Sequence, residues 1–305
     1  MISVIVPMFN EEGNVEETIG RVEKVLASLG QEFEIVVVDD GSSDATFELA
    51  ERKAAGYKTV RLVRHRRNMG LGEALKTGFR ESLGDVVVTI DADLSYNPDD
   101  IPRLLENLDG FDIVVGSPYM PGGRVEGIPY FRLLLSRMGN KVVAYAMSTN
   151  IHTVTSMFRA YRKAAVDSID LDSPGPELMP EIIAKACALG FSIAEIPVVL
   201  RRRVRGKSKF RLVSGLEKHF LFSLYEKPAA AISVSGLASI AVGCLIALYL
   251  GVLYLEKSLD PNRPLMTVMP LLLMLGVQLL FFGVMADQIA QLKRELYRMR
   301  SRMRK

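Results

Sequence analysis

Charge is missing from two long stretches of this sequence. No Asp, Glu, Lys or Arg occurs in the 27 residues from Ala229 to Leu255, nor in the 22 from Leu265 to Ala286. Each exceeds the ~20 residues that cross a hydrocarbon core. Two such runs joined by nine residues leave no polar face for water, which excludes ordinary surface helices. Cysteine is also scarce. Cys187 and Cys244 are the only two and lie far apart, so a disulfide framework is excluded and two buried thiols are expected. The N-terminus shows no basic segment or cleavage site before its first apolar run, so no signal peptide is expected. No internal repeat or low-complexity segment stands out.

What is present divides into two parts. The 305 residues are 49% hydrophobic with mean hydropathy +0.19, high for a wholly soluble chain, and the excess sits at the C-terminal end. Residues 1–200 instead alternate apolar runs with charged helical segments. Ile2–Pro7 reads as a strand stopped by proline, with Asn14 as N-cap of a helix that buries Val15, Ile19, Val22, Val25, Leu26 and Leu29 and ends at Gly30. Further strands are expected at Glu34–Asp39, Thr59–Val63, Val86–Ile90, Phe111–Gly116, Thr153–Tyr161 and Phe191–Leu200. Helices are expected near 45–55, 70–83, 129–147 and 180–189. Residues 117–127, rich in Gly and Pro, read as a mobile loop. The alternation implies an α/β fold with a doubly wound, mostly parallel sheet. Ligands of such sheets bind at the carboxyl ends of strands. The segments Pro7–Glu11, Asp39/Asp40, Arg64–Gly72 and Asp91/Asp93 all follow strand ends, which predicts that they form one site.

Asp91-Ala92-Asp93 carries the chemistry. In a strand, side chains two apart share a face, so both carboxylates would meet one hard cation, with phosphate oxygens completing its shell. Taken alone, the same pair reads more readily as a solvated turn.

Charge beside the apolar runs predicts orientation. Residues 201–228 hold nine Lys/Arg and residues 287–305 hold seven, whereas the connecting loop holds two, balanced by two acids. The first 200 residues and the C-terminus are therefore expected on the cytoplasmic side and the loop outside. Residues 211–228 read as an interfacial amphipathic helix, 229–286 as a transmembrane hairpin in the lipid bilayer, and 287–305 as a basic tail helix. The tail spaces Ile289, Leu292, Leu296, Met299 and Met303 by three and four. This stripe suits either anionic lipid or homo-oligomer formation through the C-terminal and membrane helices. No nucleic-acid partner is implied.

Five segments occur in one order: Pro7-Met8-Phe9-Asn10-Glu11, Val38-Asp39-Asp40-Gly41-Ser42-Ser43-Asp44, Asn68-Met69-Gly70-Leu71-Gly72-Glu73-Ala74, Asp91-Ala92-Asp93-Leu94 and Arg203-Val204-Arg205-Gly206-Lys207-Ser208-Lys209-Phe210. Together they resemble the family 2 glycosyltransferases of the GT-A fold, in particular the polyprenyl-phosphate (dolichol-phosphate) mannosyl- and glucosyltransferases. The resemblance covers residues 1–212 and implies a catalytic domain over 1–210. It implies that Pro7, Asn10, Glu11 and Asp39 hold the base and ribose of a nucleotide-sugar donor. Asp40 would support the turn at Gly41. Gly70 and Gly72 would let the backbone approach the donor at a helix N-terminus. Asp91, Ala92 and Asp93 would carry the diphosphate, with Mg²⁺ or Mn²⁺ on the two carboxylates. The acceptor would be a polyprenyl (dolichyl or undecaprenyl) phosphate, met by Arg132, Ser136, Arg203 and Lys209. Asp93, Arg132 and Arg203 would be the catalytic residues of an inverting hexosyl transfer from a UDP- or GDP-sugar.

The chain departs from that family in three places. Pro118 replaces the Arg of Ser-Arg-Tyr, with Arg124 or His152 as candidate substitutes. Thr153 and Met157 replace the Asp and Gly of Asp-x-Thr-Ser-Gly-Phe-Arg. Ser95 replaces a Gln that would give a third metal ligand. These changes leave the donor half intact and put the sugar and acceptor in question. Transfer to another lipid acceptor, or a catalytically silent nucleotide-sugar-binding scaffold, are the alternatives.

Overall fold

The computed structural model describes residues 1–146, 149–202, 228–256, 258, 260 and 263–303. The chain divides into two compact units, residues 1–220 and 221–305.

The first unit is built on a seven-stranded sheet ordered β3-β2-β1-β4-β7-β5-β8. Its first half follows one rhythm: β1 (Ile2–Met8), α1 (Val15–Ala27), β2 (Phe33–Asp39), α2 (Thr46–Ala54), β3 (Val60–Arg64), α3 (Leu71–Glu81) and β4 (Val86–Thr89). β1 pairs in parallel with both β2 and β4. All seven residues of β1 are buried, as a strand covered on both faces requires. α1 buries Val15, Thr18, Ile19, Val22 and Leu26 along one stripe. α3 packs closely on the sheet: a Cβ at Gly78 would lie 2.3 Å from Ile5 Cγ2. Chain order runs outward from β1 to β3 and then returns to the other side of β1 with β4. The crevice where such an order reverses is where open α/β sheets take ligands.

The second half contains α4 (Ile101–Glu106), β5 (Ile113–Ser117), β6 (Arg124–Glu126), α5 (Tyr130–Ala146), β7 (Arg159–Arg162), α6 (Lys163–Asp167), α7 (Leu178–Leu189), β8 (Ile193–Pro197) and β9 (Val199–Arg201). β7 runs antiparallel between β4 and β5. This makes the sheet mixed, which alternation of apolar runs cannot reveal.

Several local expectations are corrected. β1 continues through Pro7 to Met8, because pairing with β4 ends at Ile5 and a residue without N–H is tolerated where a ladder stops. Asn14 makes no cap with its side chain; its amide donates instead to Glu11 Oε2 at 2.7 Å. α1 ends at Ala27, ahead of Gly30. Of the expected Thr153–Tyr161 strand only residues 159–161 are strand, and β7 extends one residue further to Arg162. The 117–127 stretch is not simply loop, since β6 within it pairs in parallel with β9. Both cysteines are free, with Cys187 half-buried and Cys244 exposed, so neither is the buried thiol expected.

The second unit consists of α8 (Pro228–Leu255) and α9 (Pro264–Met303). Ile232–Leu255 and Pro264–Ile289 are long and apolar enough to cross a membrane, and only 17% and 11% of their most apolar stretches are buried. That exposure argues against core helices. The two pack through small residues: a Cβ at Gly276 would lie 2.7 Å from the Gly236 carbonyl, and Ser239 Oγ donates to Leu272 O at 2.8 Å. The basic tail continues α9 without a break, with Ile289 and Leu292 exposed on it. Residues 211–227, expected as an interfacial helix, lie outside the described residues.

One buried carboxylate ties the edge of the sheet. Glu34 Oε1 accepts from Ser3 Oγ and Leu83 N, both at 2.6 Å, and Oε2 accepts from Arg61 at 2.9 Å. Burial raises its pKa, but these hydrogen bonds and the Arg61 charge outweigh it and hold Glu34 below the ordinary carboxylate range. Its stabilisation is present above the unfolded value near ~4.3 and is lost as pH falls through the lowered folded value. Glu34→Gln is predicted to cost about 1–3 kcal/mol at neutral pH. In thermal melts across pH, the gap from wild type should close below pH ~4.

Candidate functional site

Three loops meet at the carboxyl ends of β1, β2 and β4. The loop after β1 is stitched to the loop after β2. Asn10 N donates to Ser42 Oγ at 2.9 Å, Ser43 N to Asn10 Oδ1 at 2.8 Å, and Glu11 N to Thr46 Oγ1 at 2.7 Å. Asn10 adopts φ +49°, a left-handed conformation that Asn tolerates better than most residues. Glu12 and Asp44 add a reciprocal pair of backbone contacts across the same seam.

Two adjacent carboxylates at the end of β2 do different jobs. Asp39 is fully buried. Its Oδ1 accepts from Ser42 N at 3.2 Å, while Oδ2 lies 3.2 Å from Arg64 Nε in an ion pair without hydrogen-bond geometry. The Arg64 guanidinium also stacks on Phe47, 4.0 Å from the ring centre. Asp40 faces the other way. Its Oδ1 accepts from Met69 N at 2.9 Å and meets His65 Nδ1 at 2.8 Å, and its Oδ2 accepts from Gly70 N at 2.8 Å. His65 Nε2 then meets Thr77 Oγ1 of α3 at 3.0 Å. Asp40 therefore anchors the turn at Gly70, rather than the one at Gly41 as expected. Gly41 is required for a separate reason, φ +69° and a Cβ position 2.4 Å from the Arg67 carbonyl carbon.

Gly70 and Gly72 each face another part of the chain. A Cβ at Gly70 would lie 2.5 Å from Pro174 O, and one at Gly72 would lie 2.4 Å from Ser173 O. Pro174 O also accepts from Gly72 N at 2.8 Å and Glu73 N at 3.3 Å. The glycines admit the chain's own 173–174 segment, which caps the start of α3. Glu181 holds that segment, accepting from Asp172 N and Ser173 N, each at 2.8 Å. Burial pushes Glu181 up, but Lys185, Ser173 and Asp172 outweigh it and keep the group ionised below the ordinary range.

β4 ends at Thr89, so Asp91 and Asp93 lie in a turn, not on one face of a strand. Leu94 takes φ +55° there. Asp93 is buried and Asp91 half-buried. Asp93 Oδ1 accepts from Ser95 N at 2.9 Å, and Thr18 Oγ1 of α1 donates to Ala92 O at 2.7 Å. The backbone of Ser95, the residue at the position expected to give a third ligand, thus orients Asp93. Among the described residues, no group of three or more His, Cys, Asp or Glu converges. A closed protein cage is therefore absent there, and the donors are two hard carboxylates. That set fits Mg²⁺ or Mn²⁺ taking its other ligands from phosphate and water.

The other half of the site forms around α5. Arg132 and Ser136 lie one turn apart on this helix, though the Arg132 side chain is outside the described ones. Ser136 Oγ accepts from Tyr119 OH at 2.7 Å. Arg203 and Lys209 lie outside the described residues. Asn140 docks α5 onto the 153–155 turn, its Oδ1 accepting from Val154 N at 2.9 Å and Thr155 N at 3.2 Å. Thr153 is buried against Ser117, hydroxyl to hydroxyl at 2.6 Å. Glu195 accepts from Thr153 N at 3.0 Å and holds His152 Nδ1 at 2.7 Å. His152 is thus committed to a carboxylate, and Arg124 extends exposed from β6. Arg159 is fully buried and donates to Val154 O at 2.7 Å and Met179 O at 2.9 Å, fixing the same turn. Burial raises the Tyr96 phenol well above its ordinary value, with Asp91 and Tyr119 adding to the shift. Arg64 and His65 fall in the Arg64–Gly72 segment expected at the site, but their pairing with Asp39 and Asp40 was not legible, and Asn140, Glu181 and Glu195 were not legible at all, because each acts through a partner set by the fold.

The glycosyl transferase family 2 profile matches residues 3–170. The chain belongs to glycosyltransferase family 2. This family 2 chain is 38% identical over 213 residues to a dolichol-phosphate mannosyltransferase of Pyrococcus furiosus, covering 69% of this chain but only 59% of that protein. It is 37% identical to a polyprenol monophosphomannose synthase of Mycolicibacterium smegmatis, covering 68% and 79%. An undecaprenyl-phosphate 4-deoxy-4-formamido-L-arabinose transferase of Pseudomonas paraeruginosa is 33% identical, with 96% of this chain and 86% of that one aligned. Among solved structures, glucosyl-3-phosphoglycerate synthase from Mycobacterium tuberculosis, in complex with Mn²⁺, UDP-glucose and phosphoglyceric acid, superposes with TM-score 0.57 at 22% identity, over 73% and 78% of the chains. The same fold has been solved with Mg²⁺ and UDP, at TM-score 0.55, 22% identity and 74% and 77% coverage.

Gly70 and Gly72 give a prediction. Gly72→Ala should lower the melting temperature of ligand-free protein by roughly 3–10 °C, because the overlap with residues 173–174 has to be relieved. A residue serving only donor approach would leave ligand-free stability unchanged and weaken binding alone.

Proposed function

We propose that this chain is a membrane-anchored, metal-dependent, inverting glycosyltransferase that moves a hexose from a UDP- or GDP-sugar to a polyprenyl phosphate. The observation that carries the reading is the Asp91/Asp93 turn, one carboxylate buried and one half-buried, at the strand ends where the sheet order reverses. The relatives named for polyprenyl-phosphate transfer support the acceptor class, and the two apolar helices support anchoring.

Asp91 and Asp93 would hold Mg²⁺ or Mn²⁺, which supplies charge neutralisation for the leaving nucleoside diphosphate. The stitched Asn10–Glu11 and Asp39–Ser43 loops would take the base and ribose, with Asp39 as the buried acceptor. A phosphate monoester has its second pKa near ~6, so the acceptor is largely dianionic at neutral pH and needs no general base. Its oxygen attacks the anomeric carbon from the face opposite the leaving group. A new carbon–oxygen–phosphorus link forms as the old anomeric carbon–oxygen bond breaks, and that electron pair leaves with the nucleoside diphosphate. Arg132, Ser136, Arg203 and Lys209 would bring the acceptor's negative charge up to the donor's. Basic residues on both sides of the hairpin favour a cytoplasmic catalytic unit and C-terminus. Thr153, buried at the position where the family pattern implied an Asp, motivates a second reading with another lipid acceptor such as a diacylglycerol.

Mass spectrometry decides between these. Purified protein is incubated with Mg²⁺, a panel of nucleotide sugars and either lipid. A glycosylated polyprenyl phosphate is expected, and Asp93→Ala or chelation should lower the rate by about 100-fold or more. Product on diacylglycerol alone would favour the second reading. No product with any pair, or full activity in Asp93→Ala, would reject the proposal.

A further inference from the structure

The acceptor half carries a cation not absorbed so far. Arg137 follows Ser136 on α5, and its guanidinium lies 5.7 Å from the centre of the Tyr119 ring. The Tyr119 hydroxyl in turn donates to Ser136 Oγ at 2.7 Å. One tyrosine therefore holds both residues, Ser136 by its hydroxyl and Arg137 by its ring face. Arg137 is exposed, and among the described residues no carboxylate pairs with it. A guanidinium fixed on an aromatic ring with no acid beside it keeps its hydrogen-bonding fork for an outside anion. The same helix exposes two apolar side chains next to it, Leu134 at 40% and Met138 at 55%. An anion seat flanked by exposed apolar groups fits an amphiphile better than a free ion. The chain also has Pro118 directly before Tyr119, so no basic side chain is available from that position.

We infer that Arg137, set by Tyr119 and joined to Ser136, binds the phosphate of a lipid phosphate monoester, with Leu134 and Met138 contacting the first units of its apolar chain. The inference rests on the polyprenyl-phosphate reading and adds to it a residue that makes up for the missing charge at 118. Arg137 supplies charge where the acceptor docks. Tyr119 is a positioning residue that acts through Arg137 and Ser136.

The test is equilibrium binding of labelled farnesyl phosphate to the full-length protein in detergent, with farnesol and inorganic phosphate as comparisons. Arg137→Gln should weaken farnesyl phosphate binding by about tenfold and leave farnesol binding unchanged, while Arg137→Lys should recover only part of the loss, since it restores the charge but not the fork or the seat on the ring. A merely structural role would move both ligands together. Unchanged farnesyl phosphate binding in Arg137→Gln would overturn the inference, as would inorganic phosphate competing as well as farnesyl phosphate. The transfer reading is judged separately by turnover. Arg137-dependent binding without sugar transfer would reject the reaction and leave the seat standing. Transfer with an unchanged acceptor KM in Arg137→Gln would reject the seat alone.

Discussion

Three carboxylates, Asp39, Asp40 and Asp93, are buried at the carboxyl edge of one sheet. Removing a charge from water without compensation is prohibitive, and the surrounding loops are shaped by that need. Asp39 is met by Ser42 N and the Arg64 guanidinium, Asp40 by Met69 N, Gly70 N and His65, and Asp93 by Ser95 N. The contacts of Asp39 with Arg64 and of Asp40 with His65, Met69 and Gly70 cross from one strand-end loop to the chain beside it, whereas Ser42 N and Ser95 N close the loops of Asp39 and Asp93 on themselves. The compensation that keeps these charges buried is therefore also what fixes the loops.

The consequence is a set of strand-end loops, the proposed donor half, that is built before any ligand arrives. Asp40 carries no accessible charge to a ligand, yet it sets the turn that starts α3. Glu181 does the same from the opposite side, through residues 172–174. Backbone rigidity there leaves Asp91, half-buried, as the carboxylate of the pair nearer to solvent. Preorganised charge of this kind serves a reaction in which a leaving group becomes more negative.

Much of this was legible in the sequence. Parallel strands covered on both faces read as unbroken apolar runs, so β1, β2 and β5 stand out. Acids directly after those runs mark the ligand edge. The antiparallel β7 was not legible, because pairing direction leaves no periodic trace. The contact of Gly70 and Gly72 with residues 173–174 was not legible for a related reason. A glycine shows that something approaches closely, but not whether it is a ligand or, as here, Pro174. Thr153 looked like a lost functional group. In the fold it is a buried partner of Ser117, next to the other departure at Pro118, so the two changes are neighbours.

The C-terminal unit adds a different constraint. Its helices expose apolar side chains along most of their length, which water does not tolerate and lipid does. Helices of that kind would keep a catalytic unit beside a lipid acceptor. The account's central claim remains the donor site, in which Asp91 and Asp93 bind a divalent cation together with a nucleotide diphosphate. The most direct measurement is the melting temperature of wild type and Asp91→Asn with UDP- and GDP-sugars, with and without Mn²⁺. The account predicts that one nucleotide sugar raises it in wild type only when Mn²⁺ is present, and not in Asp91→Asn. Equal stabilisation without the metal, or in the variant, would contradict it.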